Sequence, residues 1–246
     1  WHVRDGAQIE QVVTALRGLL ASGNGGEDDA PMLYAMGDGN HSFATAQAVW
    51  QELKDSQGGL AAVAEHPARH ALVELVNLHD DGLVFEPIHR VLFGSDLDSM
   101  LLALRARCPE LAAKVSLETF DSDEAWDGAR RVPSDQSQHR LPFVAGSRQG
   151  VIILQDPTRS LPVVGLQEFL TDFEQSHEDV TVDYIHGEDA VRRLAGVEGN
   201  IGIFAEAIDK HALFPTIRKD GPLPRKSFSL GEAQEKRYYL ECRRIS

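Results

Sequence analysis

The chain has 246 residues, of which 42% are apolar and 25% charged, and a net charge of −14. That balance excludes disorder as the main state, and no apolar run nears the ~18 residues of a membrane span. The acidic sign argues against nucleic acid as a partner, which would call for a basic face. The length bounds one large domain or two small ones, at roughly 150 residues each. The two cysteines, Cys108 and Cys242, lack CxxC spacing. They make neither a disulfide scaffold nor a zinc knuckle and fit a reducing cytoplasm. No leader of charged, apolar and small residues stands at the front, so a cytoplasmic protein is expected. The opening Trp1-His2-Val3-Arg4-Asp5 reads like the inside of a domain. The charge is uneven: residues 218–246 carry +4 and the rest −18. A basic tail on an acidic body can dock to it or supply cations to an anionic ligand.

In chain order, Ile9, Val12, Val13, Leu16, Leu19 and Leu20 predict an amphipathic helix over 7–20. Residues 22–29 break it as a mobile loop. Residues 32–36 form a short apolar run of buried-strand type. Gly37 to His41 then makes a tight turn, and Phe43, Ala46, Trp50 and Leu53 mark a helix. Residues 70–78 read as a central strand, closed by a turn at 79–82. Ser95 and Asp98 resemble a capping box opening a helix through Cys108. Strands are expected at 115–120, 142–145, 151–154, 180–185 and 201–204. Helices are expected around 166–173, at 187–195 before Gly196, and at 206–213. A final weak strand is expected at 237–243. The order of elements predicts an α/β or α+β fold, a mixed sheet flanked by helices, with 1–246 as a single domain.

Three segments carry candidate chemistry. The first is Gly37-Asp38-Gly39-Asn40-His41-Ser42, between strand and helix. Glycines let a backbone turn sharply and approach a ligand. A helix start offers free N–H groups and partial positive charge, which suits phosphate. Asp38 could hold Mg²⁺ or orient a hydroxyl, and His41 could donate to a phosphate oxygen or relay a proton. The same residues also make a plain turn with Asn40 or Ser42 as N-cap. It is not a Walker A loop, whose closing Gly-Lys is missing.

The second segment is Glu86-Pro87-Ile88-His89-Arg90, where Arg90 could clamp a carboxylate or phosphate. The third is Pro222 to Ser229, with Arg225, Lys226 and Ser227, which could bind phosphate or lie as a solvated loop. No zinc-ligand spacing and no nucleophile elbow occur, so zinc-hydrolase and serine-hydrolase readings drop out.

Together, and in this order, the segments resemble the DUF1015 family. Its members carry an Asp-Gly-His-His-Arg-like turn, a Gly-Leu-Val with Pro-x-His-Arg, and a late Pro-x-Lys-Ser. Here these are Asp38 to Ser42, Gly82-Leu83-Val84 with Pro87 to Arg90, and Pro224 to Ser227. Tyr184-Ile185-His186 fits a further position. The resemblance covers nearly the whole chain and implies the C-terminal part of a longer family-typical protein. The family's turn is similar to the phosphate-binding turn of the ParB and sulfiredoxin superfamily, which includes free serine kinases. Ser42 stands where related turns carry Arg, and Asn40 replaces a His; Arg90 or Lys226 could restore the charge.

The resemblance thus implies a nucleotide-dependent phosphotransferase acting on a small hydroxy amino acid. Non-catalytic binding of a phosphorylated or acidic metabolite is the alternative. The expected catalytic residues are Asp38, His41 and His89. Gly37, Gly39, Asn40, Ser42, Arg90, Arg225, Lys226 and Ser227 are expected to bind phosphate or ligand. Mg²⁺ on Asp38 and a nucleotide are the expected cofactors. A small-molecule ligand and a possible homodimer are the expected partners, with no membrane or nucleic acid. His41, His89, Arg90 and Lys226 are expected to converge on one cleft.

Overall fold

The computed structural model describes residues 3–22, 32–37 and 42–230. Backbone contacts fall into two units, one of 1–76 with 237–246 and one of 77–236.

In the smaller unit, α1 (Gly6–Ser22) and α2 (Ser42–Ser56) form where the apolar periodicity places them. The two expected strands do not form. Residues 32–36 and 70–76 run without regular structure, and Leu72, Val73, Leu75 and Val76 are exposed. Apolar alternation makes a segment fit to be a strand, but a ladder exists only where another backbone pairs with it. Among the described residues none does.

The larger unit is built on six strands. They are β2 (His89–Phe93), β3 (Ala112–Thr119), β4 (Gln138–Ala145), β5 (Arg148–Pro157), β6 (Thr181–Ile185) and β7 (Asn200–Ile203). Their spatial order is β3-β5-β4-β7-β2-β6. The expected layering of helices on a sheet is present. Within it every described pairing is antiparallel, where a sheet of mixed direction was expected. An apolar strand reads alike in either direction, so composition does not encode this. β4 and β5 close through the two-residue loop 146–147, with Gly146 at a φ of 57° as such hairpins require.

Helices cover both faces. On one side α3 (Leu97–Ala106) and α6 (Pro162–Ser176) pack Met100, Leu104, Phe169 and Phe173 against Leu92, Phe143 and Ile152. On the other, α5 (Asp123–Arg130) and α7 (Glu188–Ala195) pack Trp126 and Val191 against Val91 and Val144. A sheet buried on both sides needs apolar residues at successive positions, which is why β4 and β5 read as unbroken runs.

Local chemistry moves some boundaries. Asp96, not Ser95, caps α3, its carboxylate accepting from the Ser99 N–H at 2.9 Å. The short α4 (Cys108–Leu111) follows. The helix expected at 206–213 starts late, as α8 (Leu213–Asp220), because Pro215 is tolerated only within a first turn. A separate two-stranded ladder joins β1 (Phe85–Pro87) to β8 (Phe228–Leu230). The segment expected as a strand at 237–243 lies outside the described residues, as does the loop at 23–29.

Candidate functional site

Strand pairing brings two of the three sequence segments together. In the β1–β8 ladder Glu86 faces Ser229 and Pro87 faces Phe228, so Pro224 to Ser227 approaches the His89 strand. On the other side of β2, His89 pairs with Ile185 of β6. The chain then passes His186 and Gly187 into α7. These turns enclose a cavity of about 250 Å³ lined by Glu86, Pro87, His89, His186, Gly187 and Glu188.

His89 is the buried polar wall of this cavity, 2% exposed. Its Nδ1 accepts the Ala205 N–H at 3.0 Å. That acceptor role puts the ring proton on Nε2, which takes no partner among the described residues. Burial is the main cause that pushes its pKa down to about 4; nearby Glu188 works against this and Arg90 with it. At neutral pH the ring is therefore an uncharged hydrogen-bond donor.

Glu188, in the first turn of α7, accepts from Arg130 Nη1 at 2.8 Å. Arg130 Nε also donates to Asp127 at 2.6 Å, and Arg192 reaches the same oxygen at 3.1 Å. Both guanidinium groups lie over Trp126, at 5.0 and 4.3 Å from its ring centre. Trp126 is fixed in turn by its Nε1–H, which donates to Gly150 O at 2.9 Å. Glu188 is thus a held carboxylate, and the sequence reading missed it. The available signal was an acidic residue just after Gly187 at a strand-to-helix junction.

Arg90 does not join His89. Successive strand residues point to opposite faces, and Arg90, with no exposed surface, turns toward α6. Its Nε and Nη2 donate to Gln167 Oε1 at 3.4 and 3.2 Å, its Nη1 to Ile88 O, and its guanidinium lies 5.2 Å from the Tyr184 ring centre. Gln167 Nε2 donates to the Tyr184 hydroxyl at 2.9 Å. Burial lowers the Arg90 pKa to about 10, so its charge persists, held by dipoles and a ring with no carboxylate partner among the described residues. The expected convergence of His89 and Arg90 on one cleft is therefore corrected: the pleat separates them.

Arg225 and Lys226 are exposed, with no ion-pair partner among the described residues. Lys226 has a φ of 60°, unusual for a residue with a Cβ. Ser227 is buried, and its hydroxyl donates to Pro224 O at 2.7 Å, which fixes the turn. In the smaller unit Gly37 is exposed, and Ser42 is the first residue of α2. Asp38, Gly39, Asn40 and His41 lie outside the described residues. No group of three or more His, Cys, Asp or Glu side chains among the described residues could hold a metal ion. No helix among them is long and apolar enough to cross a membrane.

A family model described as "Protein of unknown function (DUF1015)" matches residues 1–174. A solved structure of a free serine kinase in complex with AMP has a TM-score of 0.50, is 13% identical, and covers 94% of this chain and 81% of its own. A conserved hypothetical protein from Pyrococcus furiosus has a TM-score of 0.49 at 12% identity, covering 91% of this chain and 84% of its own. No curated protein matches the chain. At such identities the likeness to the kinase is one of fold.

Proposed function

The chain belongs to the DUF1015 family, and from that premise we propose that it is a nucleotide-dependent phosphotransferase acting on a small hydroxy amino acid or related metabolite. The observation that carries this reading is His89, a buried neutral ring whose free Nε2–H lines a cavity of metabolite size. The fold shared with a free serine kinase solved with AMP supports it.

Phosphoryl transfer needs positioning and charge neutralisation more than a covalent nucleophile. A ring neutral at pH 7 positions and does not neutralise. His89 is therefore assigned to orient the acceptor by donating from Nε2. Neutralisation falls to the exposed cations Arg225 and Lys226. On the family resemblance, the segment from Gly37 to Ser42 is proposed to bind phosphate. Asp38 is the residue proposed to meet Mg²⁺.

One observation favours the alternative, a non-catalytic module. Arg90, the cation of the Pro-x-His-Arg segment, is turned into the core and unavailable to a phosphate. The test is ADP formation from ATP and Mg²⁺ with L-serine and related hydroxy amino acids. Acceptor-dependent ADP is expected. Ligand-induced thermal stabilisation without any ADP would overturn the kinase reading in favour of the module.

A further inference from the structure

We propose that the cavity between Glu86, His89 and the N-terminus of α7 is a subsite for a zwitterionic α-amino acid, which it recognises through both its ammonium and its carboxylate. The proposal rests on the phosphotransferase reading for the reaction, but not for the binding.

The wall holds two sets of groups of opposite demand. The donors are the His89 Nε2–H and the backbone at the start of α7. His89 is almost wholly buried, and its proton has no partner among the described residues. Gly187 precedes the helix with a φ of 80°, and no side chain caps that end. First-turn N–H groups left uncapped carry partial positive charge and seek an acceptor. The opposing group is Glu86, half-buried, whose carboxylate takes no hydrogen bond or ion pair among the described residues. Glu188 adds a second carboxylate, but Arg130 balances it.

This charge pattern fits simpler ligands less well, the remaining polar wall residue, His186, being exposed. A phosphate would meet a free carboxylate at Glu86 and a ring that carries no positive charge. Among the described residues no group of three or more His, Cys, Asp or Glu side chains, these included, could hold a metal ion. A plain amine would leave the His89 proton and the helix end unsatisfied, and a plain carboxylate would face Glu86 unpaired. A ligand carrying one charge of each sign satisfies both sets: its ammonium on Glu86, its carboxylate on the His89 N–H and the α7 backbone. The volume, about 250 Å³, is below that of drug-sized pockets and suits a small amino acid.

The test is calorimetric titration of the full chain with L-serine, ethanolamine, 3-hydroxypropionate and inorganic phosphate. L-Serine is expected to bind. Ethanolamine and 3-hydroxypropionate, each missing one charge, are expected to bind at least about tenfold more weakly. Glu86→Gln keeps the shape and is expected to weaken L-serine by about tenfold. His89→Gln is expected to do likewise, with circular dichroism confirming the fold; the His89 ring proton signal in the wild type should shift on adding L-serine. Equal binding of L-serine and ethanolamine overturns the proposal. So does an unchanged affinity in Glu86→Gln, tighter binding of phosphate than of L-serine, or no response of His89 to L-serine. Glu86-dependent L-serine binding without ADP formation leaves the subsite standing and removes the phosphotransferase. ADP formation indifferent to Glu86→Gln does the reverse.

Discussion

Acidification should unfold the larger unit from within, through two histidines. His89 and His139 are 2% and 1% exposed, and burial pushes each pKa from 6.5 down to about 4. The His139 Nε2 has no hydrogen-bond partner among the described residues. The unfolded chain takes up a proton on each ring near pH 6.5, while the folded chain refuses it until about 4. Stability is therefore full above pH 6.5, falls as the pH drops toward 4, and is level below that as far as these rings are concerned. At about 1.4 kcal/mol per pH unit, each ring removes about 3 kcal/mol across that window. Together they approach the ~5–15 kcal/mol that holds a typical domain folded. Asp96, Asp127 and Asp135 lie below the usual carboxylate range because they accept side-chain hydrogen bonds, so their contribution is lost only at still lower pH. Urea midpoints followed by far-UV circular dichroism between pH 7 and 4 measure the effect. His139→Gln should remove about half the slope. A midpoint that stays level from pH 6.5 to 4.5, or imidazole protons titrating near 6.5, would refute the argument.

Other outcomes follow from single contacts. Gly150→Ala would place a Cβ 2.1 Å from Glu118 O and 2.7 Å from the Phe143 ring, so denaturant unfolding should show a loss of about 1–3 kcal/mol or more; a neutral result would contradict the packing of β5. Trp126→Phe deletes the Nε1–H bond to Gly150 O and should cost about 1–3 kcal/mol by the same measurement. Arg130→Gln releases Glu188 from its ion pair. The His89 pKa, read from its ring protons, should then rise above about 4, since a carboxylate loses the cation that balanced it; no change would disconnect Arg130 from the site. Lys226→Gly relieves a φ of 60° and should stabilise the fold by up to about 1 kcal/mol, while weakening nucleotide binding in the same preparation; unaltered binding would remove Lys226 from the proposed phosphate contacts.

Much of the larger unit is legible from local pattern. Leu166, Phe169, Leu170 and Phe173 mark α6, and Gly196 ends α7 where a helix-stopping glycine is expected. The interior strands show as apolar runs because the sheet is covered on both faces. Other elements carry too little local signal. α5 buries only Trp126 in a polar stretch. β1 and β2 are hidden behind Pro87 and a charged dipeptide. The strand reading of 70–78 fails for the opposite reason: its apolar content is ample, but no described backbone pairs with it.

The candidate site divides along the same line. Residue types belong to the sequence: Glu86, His89, Lys226 and the proline-framed segments announce polar chemistry, but the strand that turns His89 and Arg90 to opposite faces is not legible there. Only the tertiary structure selects which of them meet. The β1–β8 ladder joins segments some 140 positions apart, and the β2–β6 ladder carries α7, with Glu188, up to His89. Charge state is settled there too. An exposed His and Arg would both sit near their ordinary pKa values; burial makes His89 a neutral donor and confines Arg90 among Gln167 and Tyr184. Composition supplies the groups, but desolvation depends on what folds over them, and no local pattern records that.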